Sequence, residues 1–119
     1  MSYKTLTVNV AAIIQTRASV AETESAKIIY TLSQPNDIVL RLDHSYPVTI
    51  YYSQRKTLFH DGVDETAIDL IKTSKIGWVV GKTERVNRLI PLLNDQSLPI
   101  TKTIQQSDET ILRLWKDIR

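Results

Sequence analysis

Between Tyr46 and Gly62 the chain reads Y-P-V-T-I-Y-Y-S-Q-R-K-T-L-F-H-D-G, and no other segment restricts the fold as strongly. Val48, Ile50 and Tyr52 alternate with Thr49, Tyr51 and Ser53. A two-residue repeat rich in β-branched and aromatic side chains is the pattern of a half-buried strand. Arg55, Thr57 and Phe59 then alternate with Lys56, Leu58 and His60, so a second strand is expected directly after the first. Adjacent strands of this kind need a sheet with one face against a core.

The segments on either side extend that sheet. Leu6, Val8, Val10, Ala12 and Ile14 are in phase, which predicts a strand over Lys4 to Ile14, and the polar run Gln15 to Ser25 reads as a loop or one helical turn. Ala26, Ile28, Tyr30 and Leu32 alternate with polar neighbours as a further strand. Gln34-Pro35-Asn36-Asp37 is a turn, because proline fixes φ and Asn and Asp bond back to the backbone. Its second arm is Ile38 to Asp43, with Ile38, Leu40 and Leu42 toward the core. Asp64 is placed to cap a helix carrying Ala67, Ile68 and Ile71. Ile76 to Gly81 follows as a strand, and Thr83 caps a helix with Val86, Leu89, Ile90 and Leu93 at i, i+3, i+4 and i+7. Pro91 should kink that helix or end it near Ile90. Leu98 to Ile104 reads as a last strand with Ile100 and Ile104 on one side. Ser107 or Asp108 would cap a final helix of Ile111, Leu114, Trp115 and Ile118. Asp64-Glu65-Thr66 and Asp108-Glu109-Thr110 resemble each other, as acids at two helix starts would.

Strands first and helices later predict an α+β fold: a mixed, strongly curved sheet or small pseudo-barrel with two or three peripheral helices. A doubly wound parallel sheet would need helices between strands from the outset. The 119 residues correspond to a single domain over 1–119. With 42% apolar and 24% charged residues the composition is that of a globular protein, and no run approaches the roughly 18 apolar residues of a membrane span. Near the amino end Lys4 is followed by alternation rather than a solid apolar run, so a cytoplasmic protein is expected. There is no cysteine, which excludes disulfides and thiolate metal sites.

Chemistry is narrowed by what the motifs lack. Asp43-His44 and His60-Asp61 place each histidine beside a carboxylate, but no H-x-H, H-x-x-x-H or H-E-x-x-H spacing occurs. Gly77-Trp78-Val79-Val80-Gly81-Lys82-Thr83 ends like a phosphate-binding loop, yet Ile76 stands where the first glycine is required. No G-x-S-x-G is present. The expectation is therefore no enzyme, no metal and no cofactor.

Net charge is only +2, but Lys72, Lys75, Lys82, Arg85 and Arg88 face the single acid Glu84 within one segment, a local +4. Such a field suits phosphates, and the alternative is an ordinary solvated helix face. Tyr51 beside Arg55 and Lys56 offers a stacking surface for unpaired bases, unless Tyr51 packs beneath a helix. RNA is the partner this combination fits. A protein-binding module, such as an antitoxin, immunity or phage-assembly component, is the alternative. Sheet edges in a domain this small also favour a homodimer.

The opening Y-K-T-L-T-V-N-V and the segment I-G-W-V-V-G-K, in a small, cysteine-free basic chain, resemble the PrgU-type regulators of pheromone-responsive conjugative plasmids in Gram-positive cocci. The resemblance implies a cytoplasmic, PUA-like RNA-binding fold that restrains expression of plasmid-encoded surface adhesins, without catalytic residues.

Overall fold

A computed structural model of the chain, which describes residues 20–44 and 47–114, turns two of the expected strands into helices. The elements are α1 (Val20–Leu32), β1 (Ile38–Arg41), α2 (Pro47–Ser53), β2 (Lys56–Phe59) and α3 (Glu65–Thr73). They are followed by β3 (Trp78–Lys82), α4 (Thr83–Asp95), β4 (Ile100–Gln106) and β5 (Glu109–Leu114). The expected strand at Lys4 to Ile14, and Tyr46, Trp115 and Ile118, lie outside the described residues.

In α1 the buried positions Ala21, Ser25, Ala26 and Ile29 recur at helical spacing, so the alternation of Ala26, Ile28, Tyr30 and Leu32 is incidental. The same holds for α2. Pro47 presets φ at its start, and Val48, Thr49 and Ser53 fall on one buried face that packs on α1. Here tertiary packing overrides the strand preference of the β-branched and aromatic side chains. Between α1 and β1 the expected turn forms: the Asp37 N–H donates to the Gln34 carbonyl at 3.0 Å, and the Gln34 N–H donates to Asp37 Oδ2 at 2.9 Å.

The architecture is α+β, with four helices among the described residues and one five-stranded mixed sheet ordered β2-β1-β3-β5-β4. β1 runs parallel to β2 and β3, whereas β5 is antiparallel to both β3 and β4. Among the described residues the sheet is open, with β2 and β4 at its edges, so of the expected curved sheet or small pseudo-barrel the second is not formed. Each parallel step passes through a helix, α2 between β1 and β2 and α3 between β2 and β3, so the strands-first order does not hold.

Both faces of the central strands are covered. On one, Leu40, Leu42, Val79, Leu112 and Leu114 meet Ile68 and Ile71 of α3 and Val86, Leu89 and Leu93 of α4. On the other, Val39, Trp78, Val80 and Ile111 meet Ile29 of α1. Trp78 also donates Nε1–H to Asp37 Oδ2 at 2.9 Å, which satisfies its one polar atom in the core.

Three further details depart from expectation. Of the two outcomes expected of Pro91, ending near Ile90 does not occur: α4 runs on to Asp95, with the proline on the exposed side. A register shift between Ile100 and Lys102 puts Ile100 against the α3–α4 side and Ile104 against the α1 side. Ser107 and Asp108 form a two-residue hairpin turn, with Ser107 at φ 56°, so Ile111, Leu112 and Leu114 belong to a strand and not to a final helix. The Asp-Glu-Thr echo thus starts a helix at Asp64 and closes a hairpin at Asp108.

Candidate nucleic-acid interface

β1 has β2 on one side and β3 on the other, so the connections diverge at the carboxyl ends of β1 and β3. In open sheets with helices between parallel strands, this divergence opens a crevice where ligands bind. Gly81 lets the two ends close up: a Cβ there would lie 3.0 Å from Leu42 Cβ. β5 is antiparallel, so its first residue, Glu109, arrives at the same edge and pairs in register with Lys82.

The crevice floor is ionic. Arg41 is 1% exposed and Glu109 0%. Arg41 NH1 donates to Glu109 Oε1 at 2.8 Å and NH2 donates to Glu109 Oε2, while NH2 also reaches Glu22 Oε1 of α1 at 3.2 Å. Asp43 Oδ2 lies 3.9 Å away. Burial works against the charge on Arg41, but the hydrogen bond and charge of Glu109, with Glu22 and Asp43, more than offset it and raise its pKa. The pair was not anticipated. The signal was there in a lone arginine within the apolar run Ile38-Val39-Leu40-Arg41-Leu42, since a charge is fully buried only when paired.

Above this floor, Lys82, Thr83, Glu84, Arg85, Arg88, Gln105, Ser107 and Asp108 line a cleft of about 710 Å³ between the start of α4 and the β4–β5 turn. Lys82 Nζ meets Asp108 Oδ2 at 2.7 Å. That hydrogen bond holds Lys82 above its ordinary range and Asp108 below the usual carboxylate range. Arg85 NH1 donates to Asp61 Oδ1 at 2.6 Å and to the Leu42 carbonyl at 3.0 Å. Thr83 is not the cap that its position suggested. Lys82 is the N-cap residue, without a side-chain cap bond, and Thr83 Oγ1 instead contacts Thr110 Oγ1 and accepts from Gln105 Nε2, both at 2.9 Å. The Thr83 N–H donates to the Asp108 carbonyl at 2.8 Å, which ties α4 to the hairpin.

The two imidazoles come to this edge against carboxylates other than those of their sequence neighbours. His44 Nε2 lies 3.1 Å from Asp61 Oδ2, and His60 Nε2 lies 2.9 Å from Asp64 Oδ1. Asp64 is also the expected cap of α3, accepting from the Ala67 N–H at 3.1 Å. Its bond to His60, and then that to Ala67, hold its carboxyl below the usual range. Among the described residues no cluster of three or more such side chains is arranged to hold a metal ion.

The remaining site residues lie elsewhere. Lys72 is in the last turn of α3, bonded to Gln96, and Lys75 is exposed in the turn before β3. Lys56 is exposed at the start of β2. These positions are at the amino edge, so the charged segment Lys72 to Arg88 is split by the length of β3, roughly 13 Å at the rise of a strand. Tyr51 sits half-buried on α2, edge-on to Tyr52 with ring centroids 4.9 Å apart. Arg55 is engaged in the fold. Its Nε donates to Ser33 Oγ at 2.8 Å, its NH2 to the carbonyls of Ser33 and Tyr30 at 3.3 and 3.4 Å, and its guanidinium stacks on Tyr30. It clamps the carboxyl end of α1, where carbonyls lack helical partners.

Lys82, Arg85 and Arg88 are therefore the predicted site residues that the fold brings together. Compared with known proteins, the chain matches no family model, no curated protein and no solved structure.

Proposed function

We propose that the protein is a small, non-enzymatic RNA-binding regulator that holds RNA phosphates in the cleft between α4 and the β4–β5 turn. The observation that carries this reading is the convergence of Lys82, Arg85 and Arg88 on one cleft at the carboxyl edge. The start of α4 adds first-turn N–H groups and the positive end of its dipole. Lys82 and Arg85 are held by acids, but Asp108 is 57% and Asp61 37% exposed. Exposed pairs of this kind are worth only about 0–1 kcal/mol, so a phosphate can replace either acid at small cost. The resemblance to the PrgU-type regulators points the same way. A phosphate cleft on an open sheet needs neither the PUA-like fold that the resemblance implies nor the strong curvature expected from the order of elements.

Ultraviolet crosslinking in cells, with mapping of the crosslinked peptides, tests the proposal. RNA-bearing peptides from α4 and the hairpin are expected. A second reading, a protein-binding module, is favoured by Tyr30 and Ile50, apolar side chains left 48% and 47% exposed on α1 and α2. Recovery of a protein partner that is lost on replacing Tyr30 or Ile50, with no RNA, would favour it.

A further inference from the structure

Edge strands are usually short or otherwise protected against pairing. Among the described residues the longest strand of the sheet, β4, is an edge, and all seven of its residues are exposed or half-buried. In a two-residue hairpin the residues flanking the turn bond to each other, and the bonded pairs alternate from there. Counting back from Gln106 and Glu109, Lys102, Ile104 and Gln106 spend their backbone groups on β5. The N–H and C=O of Thr103 and Gln105 point away from the sheet and have no strand beside them among the described residues.

We propose that β4 pairs antiparallel with β4 of a second copy of the chain, about a two-fold axis through Ile104. This register places Thr103 opposite Gln105 of the copy and Gln105 opposite its Thr103. All four outward N–H and all four outward C=O groups of the two strands then have the spacing of bonded pairs. A shift of the axis to Thr103 would set Gln105 opposite Thr101, where the irregularity of β4 interrupts the ladder. On the α1 face, the half-buried Ile104 meets its own symmetry mate, and each covers the apolar surface that the other leaves open. Lys102, the single charge on the strand, faces Gln106 and not a second lysine. The two Lys102 residues lie four positions apart along the ladder, about 14 Å at the strand rise, beyond strong repulsion. The outcome is a closed, isologous dimer with a continuous ten-stranded sheet, whereas β2 at the far edge offers only four residues.

The absence of cysteine makes the test direct. With the axis at Ile104, Ile104→Cys brings two thiols into a non-bonded antiparallel pair, with Cα atoms about 4.5 Å apart. Gln106→Cys leaves its thiols about 14 Å apart along the ladder. A disulfide needs Cα atoms within about 7 Å, so Ile104→Cys should oxidise to dimer at least about tenfold faster than Gln106→Cys. Light scattering of the wild type should give twice the 13.6 kDa of one chain. Thr103→Pro removes an outward donor and spares the bonds to β5, so it should give a folded monomer by circular dichroism and light scattering. A wild type of single-chain mass at tens of micromolar would overturn the proposal. So would equal crosslinking rates for the two cysteine variants, a result that stands even where Thr103→Pro fails to fold.

Discussion

Replacing Arg41 by methionine keeps most of the side-chain volume and removes the charge that Glu109 faces. Glu109 is fully buried, and Arg41 supplies it with two hydrogen bonds, while Glu22 loses its contact to the same guanidinium. Breaking a buried ion pair by deleting one partner costs about 3–5 kcal/mol, because the other charge is left without compensation. A domain of this size is stable by about 5–15 kcal/mol, so the variant loses about a fifth or more of its margin. The melting temperature should fall by roughly 9–25 °C, at about 3–5 °C per kcal/mol. Replacing both partners, Arg41→Met with Glu109→Leu, removes the stranded charge. The double variant should recover to within about 1–2 kcal/mol of wild type, since apolar replacements of buried pairs are often neutral. Urea unfolding of Arg41→Met, Glu109→Leu and the double variant, followed by circular dichroism, gives all three losses and the coupling energy of the cycle. The reasoning fails if Arg41→Met costs less than about 1 kcal/mol, or if the double variant loses the sum of the two single losses.

Arg55→Ala should destabilise by about 1–3 kcal/mol, the value of hydrogen bonds from a charged group, and leave RNA affinity unchanged because Arg55 clamps α1. Denaturation and a binding titration on the same sample check both parts. Gly81→Ala puts a methyl group 3.0 Å from Leu42 Cβ in the packed core, and should cost about 1–3 kcal/mol in urea unfolding. Asp64 carries a depressed pKa, so its contribution is fully present above the ordinary carboxylate range and is lost as pH falls through its lowered folded value. Asp64→Ala should therefore melt below wild type at neutral pH, and thermal melts repeated into acid should show the gap closing.

Legibility in the sequence followed the physics of each signal. Asp64, Ala67, Ile68 and Ile71 were readable because a cap and a helical stripe agree, and Gln34 to Asp37 because proline and short polar side chains fix a turn locally. Ala26 to Ser33 and Val48 to Ser53 carry a strand-like pattern because a few alternating residues also satisfy a helix, and only the packing of α1 and α2 decides between them. Ile111 to Leu114 lies in a strand buried on both faces, where an apolar run carries no period. The strand-like pattern of α1 and α2 hides the parallel core and its crevice from the sequence. Of the candidate site, Lys82, Arg85 and Arg88 were legible because one short strand-to-helix segment carries them all. The partners Asp61, Asp108 and Glu109 come from distant segments, and pairing between segments leaves no local pattern.

The phosphate cleft is tested most directly by the salt dependence of RNA binding in wild type and in the Lys82→Gln, Arg85→Gln, Arg88→Gln variant. Each phosphate contact to a single strand contributes about −0.7 to the slope of log Kobs against log salt, so losing three should flatten the slope by about 2. The variant should stay folded and bind more weakly at every salt concentration. A folded variant with the affinity and slope of wild type would contradict the account.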